Sequence, residues 1–186
     1  MIFKETGFPG LIVIEPKIFR DDRGYFYESF NAGELAKGGI TETFIQDNQS
    51  RSSYGVIRGL HYQLEPYAQS KLIRVLEGTI CDVAVDVRKG SPTFGRYYGI
   101  ELSSENHLQF YIPKGFAHGF SVLSDSAVVM YKCDSYYNPA SEAGILFNDS
   151  NLGIDWKITE GEEIVSSKDA VLPSFENAEL NFTFAG

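Results

Sequence analysis

A chain of 186 residues fits one domain, with room for a core that needs no metal or disulfide staple. Hydrophobic residues make up 43% and aromatic residues 14%, mostly Phe and Tyr, which excludes a disordered chain and favours a packed β-rich domain. The formal net charge of −9 argues against a nucleic-acid partner, which needs a positive footprint, but a small anionic ligand needs only a local cluster such as Arg23, Arg51, Arg58, Lys71 and Arg74.

In chain order, the opening residues Met1 to Gly7 lack a long apolar run, and no later stretch reaches the length of a membrane span. A cytoplasmic protein without a membrane partner is the expectation. Residues 11–14 read as a strand. Asn31 and Glu34 then have capping-box spacing, with Phe30 and Leu35 placed to staple across the cap and Gly38-Gly39 to end a short helix. Strands follow around Arg58 to Gln63 and over residues 71–76, 80–87, 97–102, 108–112 and 127–133. Glu77-Gly78, Lys89-Gly90-Ser91-Pro92 and Pro113-Lys114-Gly115 punctuate them. From Asp134 onward Asn, Ser, Pro and Glu predict loops and short helical turns packed on the same unit. Many short strands at close spacing, with no linker, predict an all-β sandwich or barrel over residues 1–186 as a single domain. Cys81 and Cys133 lack CxxC spacing and lie in apolar strands, as buried free thiols do in a reducing compartment.

The chemistry concentrates in Arg58-Gly59-Leu60-His61-Tyr62-Gln63 and the following Lys71. Proton abstraction beside a carbonyl needs a base with a pKa near neutrality and a fixed cation at the enolate oxygen, and His61 and Lys71 are such a pair. Strand alternation places His61 on one face with Gly59 and Gln63, and lets Tyr131 point inward from a later strand. A tyrosine protonated at neutral pH is a suitable donor to the opposite face of a carbanion. His118 begins a strand after the Pro113-Lys114-Gly115 turn. With Gln63 where a metal site would want histidine, and only three histidines in all, no metal site is expected. His107, among polar turn residues, is expected to be exposed.

Taken together, several segments resemble the dTDP-4-dehydrorhamnose 3,5-epimerases, metal-free cupins acting on nucleotide sugars. They are Phe19 to Glu28, Gln46-Asp47-Asn48, Arg58 to Gln63, Lys71, Asp82 to Arg88, Ser91 to Gly95, Gly115 to Phe120, Tyr131-Lys132-Cys133, Tyr136 to Pro139 and Ser167-Lys168-Asp169. The resemblance implies a cupin-type β jelly roll of two packed antiparallel sheets with a few short helices, working without a cofactor. It implies His61 as base oriented by Asp169, Tyr131 as acid, Lys71 at the enolate oxygen and His118 against the sugar. Arg23, Glu28, Gln46, Asp47, Asn48, Arg58, Glu142 and Lys168 would hold the nucleotide and pyrophosphate, and Phe19 and Phe26 would pack on the thymine. The partners it implies are a dTDP-4-keto-6-deoxy sugar and a second copy of the chain, in a homodimer with an exchanged N-terminal strand. Relatives on this scaffold also include epimerases acting at one carbon only, and a non-catalytic sugar-binding cupin is the alternative from another class.

Overall fold

The computed structural model describes residues 1–186. Its first strands, β1 (Ile2–Glu5) and β2 (Ile12–Glu15), form an antiparallel pair at one edge of a six-stranded sheet. A small separate ribbon follows, made of β3 (Phe19–Asp21) and β4 (Gly24–Phe26). Helix α1 (Ala32–Lys37) begins where Asn31 Oδ1 accepts the Glu34 N–H, and Gly38 closes it. Only half of the expected capping box forms, because the Glu34 carboxylate turns to Lys37. Phe30, ahead of the cap, packs edge-on to Phe44.

The remaining strands are β5 (Gln46–Ser53), β6 (Val56–Gln63), β7 (Lys71–Glu77), β8 (Thr79–Asp86), β9 (Tyr97–Ser103), β10 (Gln109–Ile112), β11 (Phe116–Val122), β12 (Ser126–Cys133), β13 (Glu142–Gly144) and β14 (Ile164–Val165). The first sheet runs β1-β2-β10-β7-β12-β5 and the second β13-β6-β11-β8-β9, with β14 alongside β6 in parallel. Their facing surfaces enclose a core that includes Ile73, Val75, Ile80, Phe110, Phe120 and Val129. This two-sheet arrangement is the sandwich expected from strand spacing, in the jelly-roll form that the family resemblance implies.

Both outer faces are also covered, which explains why β8 is apolar almost throughout instead of alternating. Val83 and Val85 turn outward against Ile145, Leu152, Trp156 and Phe182 of the C-terminal segment. On the first sheet, Leu72, Tyr111 and Ile14 pack under Leu35 and Ile40. The tail therefore lies over a sheet face in loops and three single 3-10 turns, and, beyond the loops and turns expected from its composition, it adds the short strands β13 and β14 beside β6. Cys81 and Cys133 are buried free thiols, as expected.

His107 corrects the expectation of exposure. It is only 6% exposed, in a left-handed conformation (φ 55°) between β9 and β10, with its ring against Tyr25 and Tyr27. The turn is polar in sequence, but the aromatic ribbon residues cover it from a distance that local patterning does not reveal.

Candidate active site

A cavity of about 510 Å³ opens between the sheets, walled by β5, β7 and β12 on one side and β6, β11 and the returning tail on the other. Strict alternation along β6 would separate Arg58 from His61 and put His61 with Gly59. Instead, His118 lies opposite His61 while Phe120 lies opposite Arg58, so three steps on β6 match two on β11. The bulge at Gly59 and Leu60 turns Arg58 and His61 toward the same cavity and sends Leu60 into the outer core. Gly59 has φ +123°, and a Cβ there would meet the Gly119 Cα at 2.6 Å, so the bulge requires glycine.

His61 Nε2 lies 2.8 Å from Asp169 Oδ1, while the Gly59 backbone N–H donates to the other Asp169 oxygen at 3.3 Å. The carboxylate is thus fixed at both oxygens, and His61 Nδ1 is left free of it. Asp169 comes from far along the chain because β14 runs beside β6, after which Ser166 Oγ accepts the Asp169 N–H. Burial pulls the His61 pKa below the ordinary imidazole value; the Asp169 carboxylate opposes this, and Lys71 adds to it. The imidazole is therefore neutral at neutral pH, with Asp169 placed to accept Nε2–H and stabilise an imidazolium when one forms.

Tyr131 enters from β12, on the sheet opposite His61. Burial raises its pKa, so the phenol carries its proton at neutral pH. Lys71, on the neighbouring β7, places Nζ 5.9 Å from the Tyr131 ring centroid. Desolvation lowers the Lys71 pKa, and Cys133, Asp82 and Glu142 oppose that shift. A desolvated ammonium of this kind gains from an oxyanion placed beside it.

Directly beside His61, the His118 ring is held by the buried Asp82 carboxylate, with Nε2 at 2.9 and 3.0 Å from its two oxygens. Arg58 Nε donates to Ser52 Oγ at 3.0 Å. At the rim, Lys168 and the Tyr137 hydroxyl both reach Glu142 Oε2, at 2.7 and 2.8 Å. The Tyr137 N–H donates to Gln46 Oε1, whose amide in turn donates to Asn48. Gln63 is fully engaged: its amide donates to the Tyr67 and Tyr136 carbonyls and its oxygen accepts the Asn138 N–H. It fastens the rim loop. Nowhere in the chain do three His, Cys, Asp or Glu side chains converge as a metal-ligand set.

Of the residues singled out in the sequence, His61, Lys71, Tyr131, Asp169, Asn48, Arg58, His118 and Lys168 line this one cavity. Gln46 and Glu142 brace its rim. Asp47 points to the opposite face of β5, where it pairs with Lys132 at 2.9 Å, so its side chain is not brought to the cavity. Arg23, Phe19 and Phe26 stand apart on the β3–β4 ribbon, and Glu28 follows it, accepting from the Asn31 amide. Asp82, Ser52 and Tyr137 were not among the candidates. Asp82 had a readable signal, because an aspartate stands between Ile80 and Ala84 on the inward face in the apolar middle of β8.

Known proteins place this arrangement in a family. The model described as dTDP-4-dehydrorhamnose 3,5-epimerase matches residues 5–177. The dTDP-4-dehydrorhamnose 3,5-epimerase of Shigella flexneri is 50% identical over 177 residues, spanning 94% of this chain and 96% of its own. Among solved structures, the dTDP-6-deoxy-D-glucose-3,5-epimerase of Legionella pneumophila, in complex with dTDP-4-keto-L-rhamnose, superposes with a TM-score of 0.94 at 49% identity and covers 99% of both chains. A 3'-monoepimerase from Streptomyces bikiniensis, in complex with dTDP-quinovose, gives a TM-score of 0.84 at 33% identity over 91% of this chain and 86% of its own. The chain belongs to the dTDP-4-dehydrorhamnose 3,5-epimerase family.

Proposed function

We propose that the protein converts dTDP-4-dehydro-6-deoxy-D-glucose to dTDP-4-dehydro-L-rhamnose by inverting C5 and C3. The observation that carries this is the carboxylate-held His61 facing Tyr131 from opposite sheets, with Lys71 beside the tyrosine. His61 Nδ1 removes the proton on the carbon next to the C4 ketone. The bonding pair moves into the enolate, whose oxygen Lys71 stabilises. Tyr131 then delivers its proton to the opposite face, which inverts the carbon, and solvent restores both groups for the second carbon. His118, oriented by Asp82, contacts the sugar. Arg58 and Lys168 offer charge to the pyrophosphate, the guanidinium as a fork.

The ribbon residues Arg23, Phe19 and Phe26 reach a nucleotide in a neighbouring copy. Phe19 is 52% and Phe26 66% exposed, as large apolar side chains awaiting a surface would be. The enzyme is then a homodimer that exchanges its N-terminal region, with the exposed edge strand β1 as the exchanged strand. Buried free thiols at Cys81 and Cys133 fit a cytoplasmic setting.

Product analysis by NMR tests the reaction: inversion at both carbons is the expected outcome. Inversion at C3 alone would make the protein a mono-epimerase, and an unchanged sugar would remove the assignment. Mixing two variants, each without turnover at substrate far below the KM expected for Arg23→Ala, tests the dimer. A His61→Asn chain and an Arg23→Ala chain should restore activity together if each site combines one chain's His61 with the other's Arg23. Unchanged inactivity on mixing contradicts the exchanged arrangement.

A further inference from the structure

We propose that His107 is the positioning residue that sets the β3–β4 ribbon in the pose from which it delivers its nucleotide contacts. This rests on the ribbon's role in nucleotide binding proposed above.

The ribbon pairs with no other strand. No hydrogen bond or ion pair joins residues 17–27 to the rest of the chain; the Arg23–Asp21 pair is internal to it. What ties it to the body is aromatic: the His107 ring centroid lies 4.7 Å from that of Tyr25 and 5.3 Å from that of Tyr27. The tyrosines also stack on each other at 5.9 Å. Beside this contact, a cavity of about 270 Å³ separates the ribbon from Arg74, Val75 and Leu76 of β7. Two residues beyond Tyr27 the Ser29 carbonyl accepts the Gln109 amide, so within the chain the His107 ring is the side-chain contact that sets the ribbon's orientation above that tie.

The support under His107 is rigid. Asn106 Oδ1 accepts the backbone N–H groups of Ser103 and Leu108, its amide donates to the Glu101 carbonyl, and its own N–H reaches Ser103 Oγ. The His107 N–H closes the turn on the Ser103 carbonyl. This network fixes the left-handed backbone at His107 and so aims the ring. Tyr25 pairs across the ribbon with Arg20, while Phe26 pairs with Phe19, so the aromatic anchor directly precedes the residues that would meet the nucleotide.

Asparagine tolerates the left-handed conformation but has no ring, so His107→Asn removes the anchor and keeps the turn. Losing the two ring contacts lowers the fraction of ribbons in the binding pose, and apparent affinity falls by the same fraction, about tenfold for contacts of this kind. The expected result is a KM for the dTDP sugar raised about tenfold with kcat within about twofold of wild type. His107→Phe, which restores a ring, should recover most of the loss. Backbone hydrogen exchange should quicken over residues 19–26 in His107→Asn and not elsewhere, a confinement that general destabilisation does not produce. Arg23→Ala is the companion variant. If Arg23→Ala raises KM while His107→Asn changes neither KM nor exchange, His107 does not position the ribbon. If Arg23→Ala leaves KM untouched, the ribbon's role in nucleotide binding fails, and the inference falls with it.

Discussion

Replacing Asp169 with asparagine changes one atom in the buried pair with His61, and its consequence follows from counting acceptors. The carboxylate accepts from Gly59 N–H at one oxygen and faces His61 Nε2 with the other. An amide has one acceptor. If its oxygen keeps Gly59, its NH2 faces His61 Nε2, and the imidazole proton must move to Nδ1, the nitrogen that would take the substrate proton. If its oxygen keeps His61, the NH2 opposes the Gly59 N–H. In both poses the negative charge beside the forming imidazolium is gone. Two unit charges 2.8 Å apart interact by about 6 kcal/mol at an effective dielectric constant of about 20, an upper bound on the loss. A charge-assisted hydrogen bond is worth about 1.5–3 kcal/mol net, and a wrong tautomer adds to that, so kcat should fall by about 10² to 10⁴. Protonation state cannot cause the drop: Asp169 raises the His61 pKa, so removing its charge leaves the imidazole still more fully neutral. Steady-state kinetics across pH distinguish the two effects, because the plateau should fall while the acid limb moves to lower pH. A variant with kcat within threefold of wild type would refute the orienting role of Asp169.

In the wild-type enzyme, the low-pH limb of kcat/KM should lie below the ordinary imidazole value of about 6.5, since burial lowers the His61 pKa and the base is lost only on protonation. A limb above 7 would contradict a desolvated neutral base. Lys71→Met should cut kcat by about 10² to 10³, as loss of one oxyanion partner does, with a smaller change in KM; equal turnover would remove Lys71 from the enolate. Away from the site, buried Asp86 holds Arg88 at 2.7 Å and also accepts from Ser91 and Thr93. Asp86→Ala should destabilise the fold by about 3–5 kcal/mol in denaturant titration, and a cost below about 1 kcal/mol would show the cluster to be dispensable.

Strands with apolar periodicity were legible in the sequence because their side chains record burial directly. The predicted runs at 71–76 and 97–102 become β7 (Lys71–Glu77) and β9 (Tyr97–Ser103), each extended by one residue. β5 was not legible. Gln46–Ser53 is wholly polar, since it is an edge strand with one face on the polar cavity and the other outside. The chemistry of His61, Lys71 and Tyr131 followed from residue type and from resemblance, and all three line one cavity. The shared facing of Arg58 with His61 could not be read, because a bulge reverses alternation at a point that only cross-strand register reveals. The burial of His107 was hidden for a related reason: its cover comes from tyrosines about 80 residues earlier in the chain. Gln63 shows the opposite case. In the sequence it marked the place of a missing metal ligand, whereas in the fold its side chain ties three backbone groups around the rim.

Solvent exchange in deuterated water tests most directly whether His61 and Tyr131 act as base and acid on opposite faces of one sugar. With dTDP-4-dehydro-6-deoxy-D-glucose, wild-type enzyme should place solvent deuterium at both C5 and C3 of inverted product. His61→Asn should abolish exchange at both carbons, and Tyr131→Phe should retain exchange while losing inversion. Exchange surviving in His61→Asn, or undiminished inversion in Tyr131→Phe, would contradict the two-faced arrangement of this cavity.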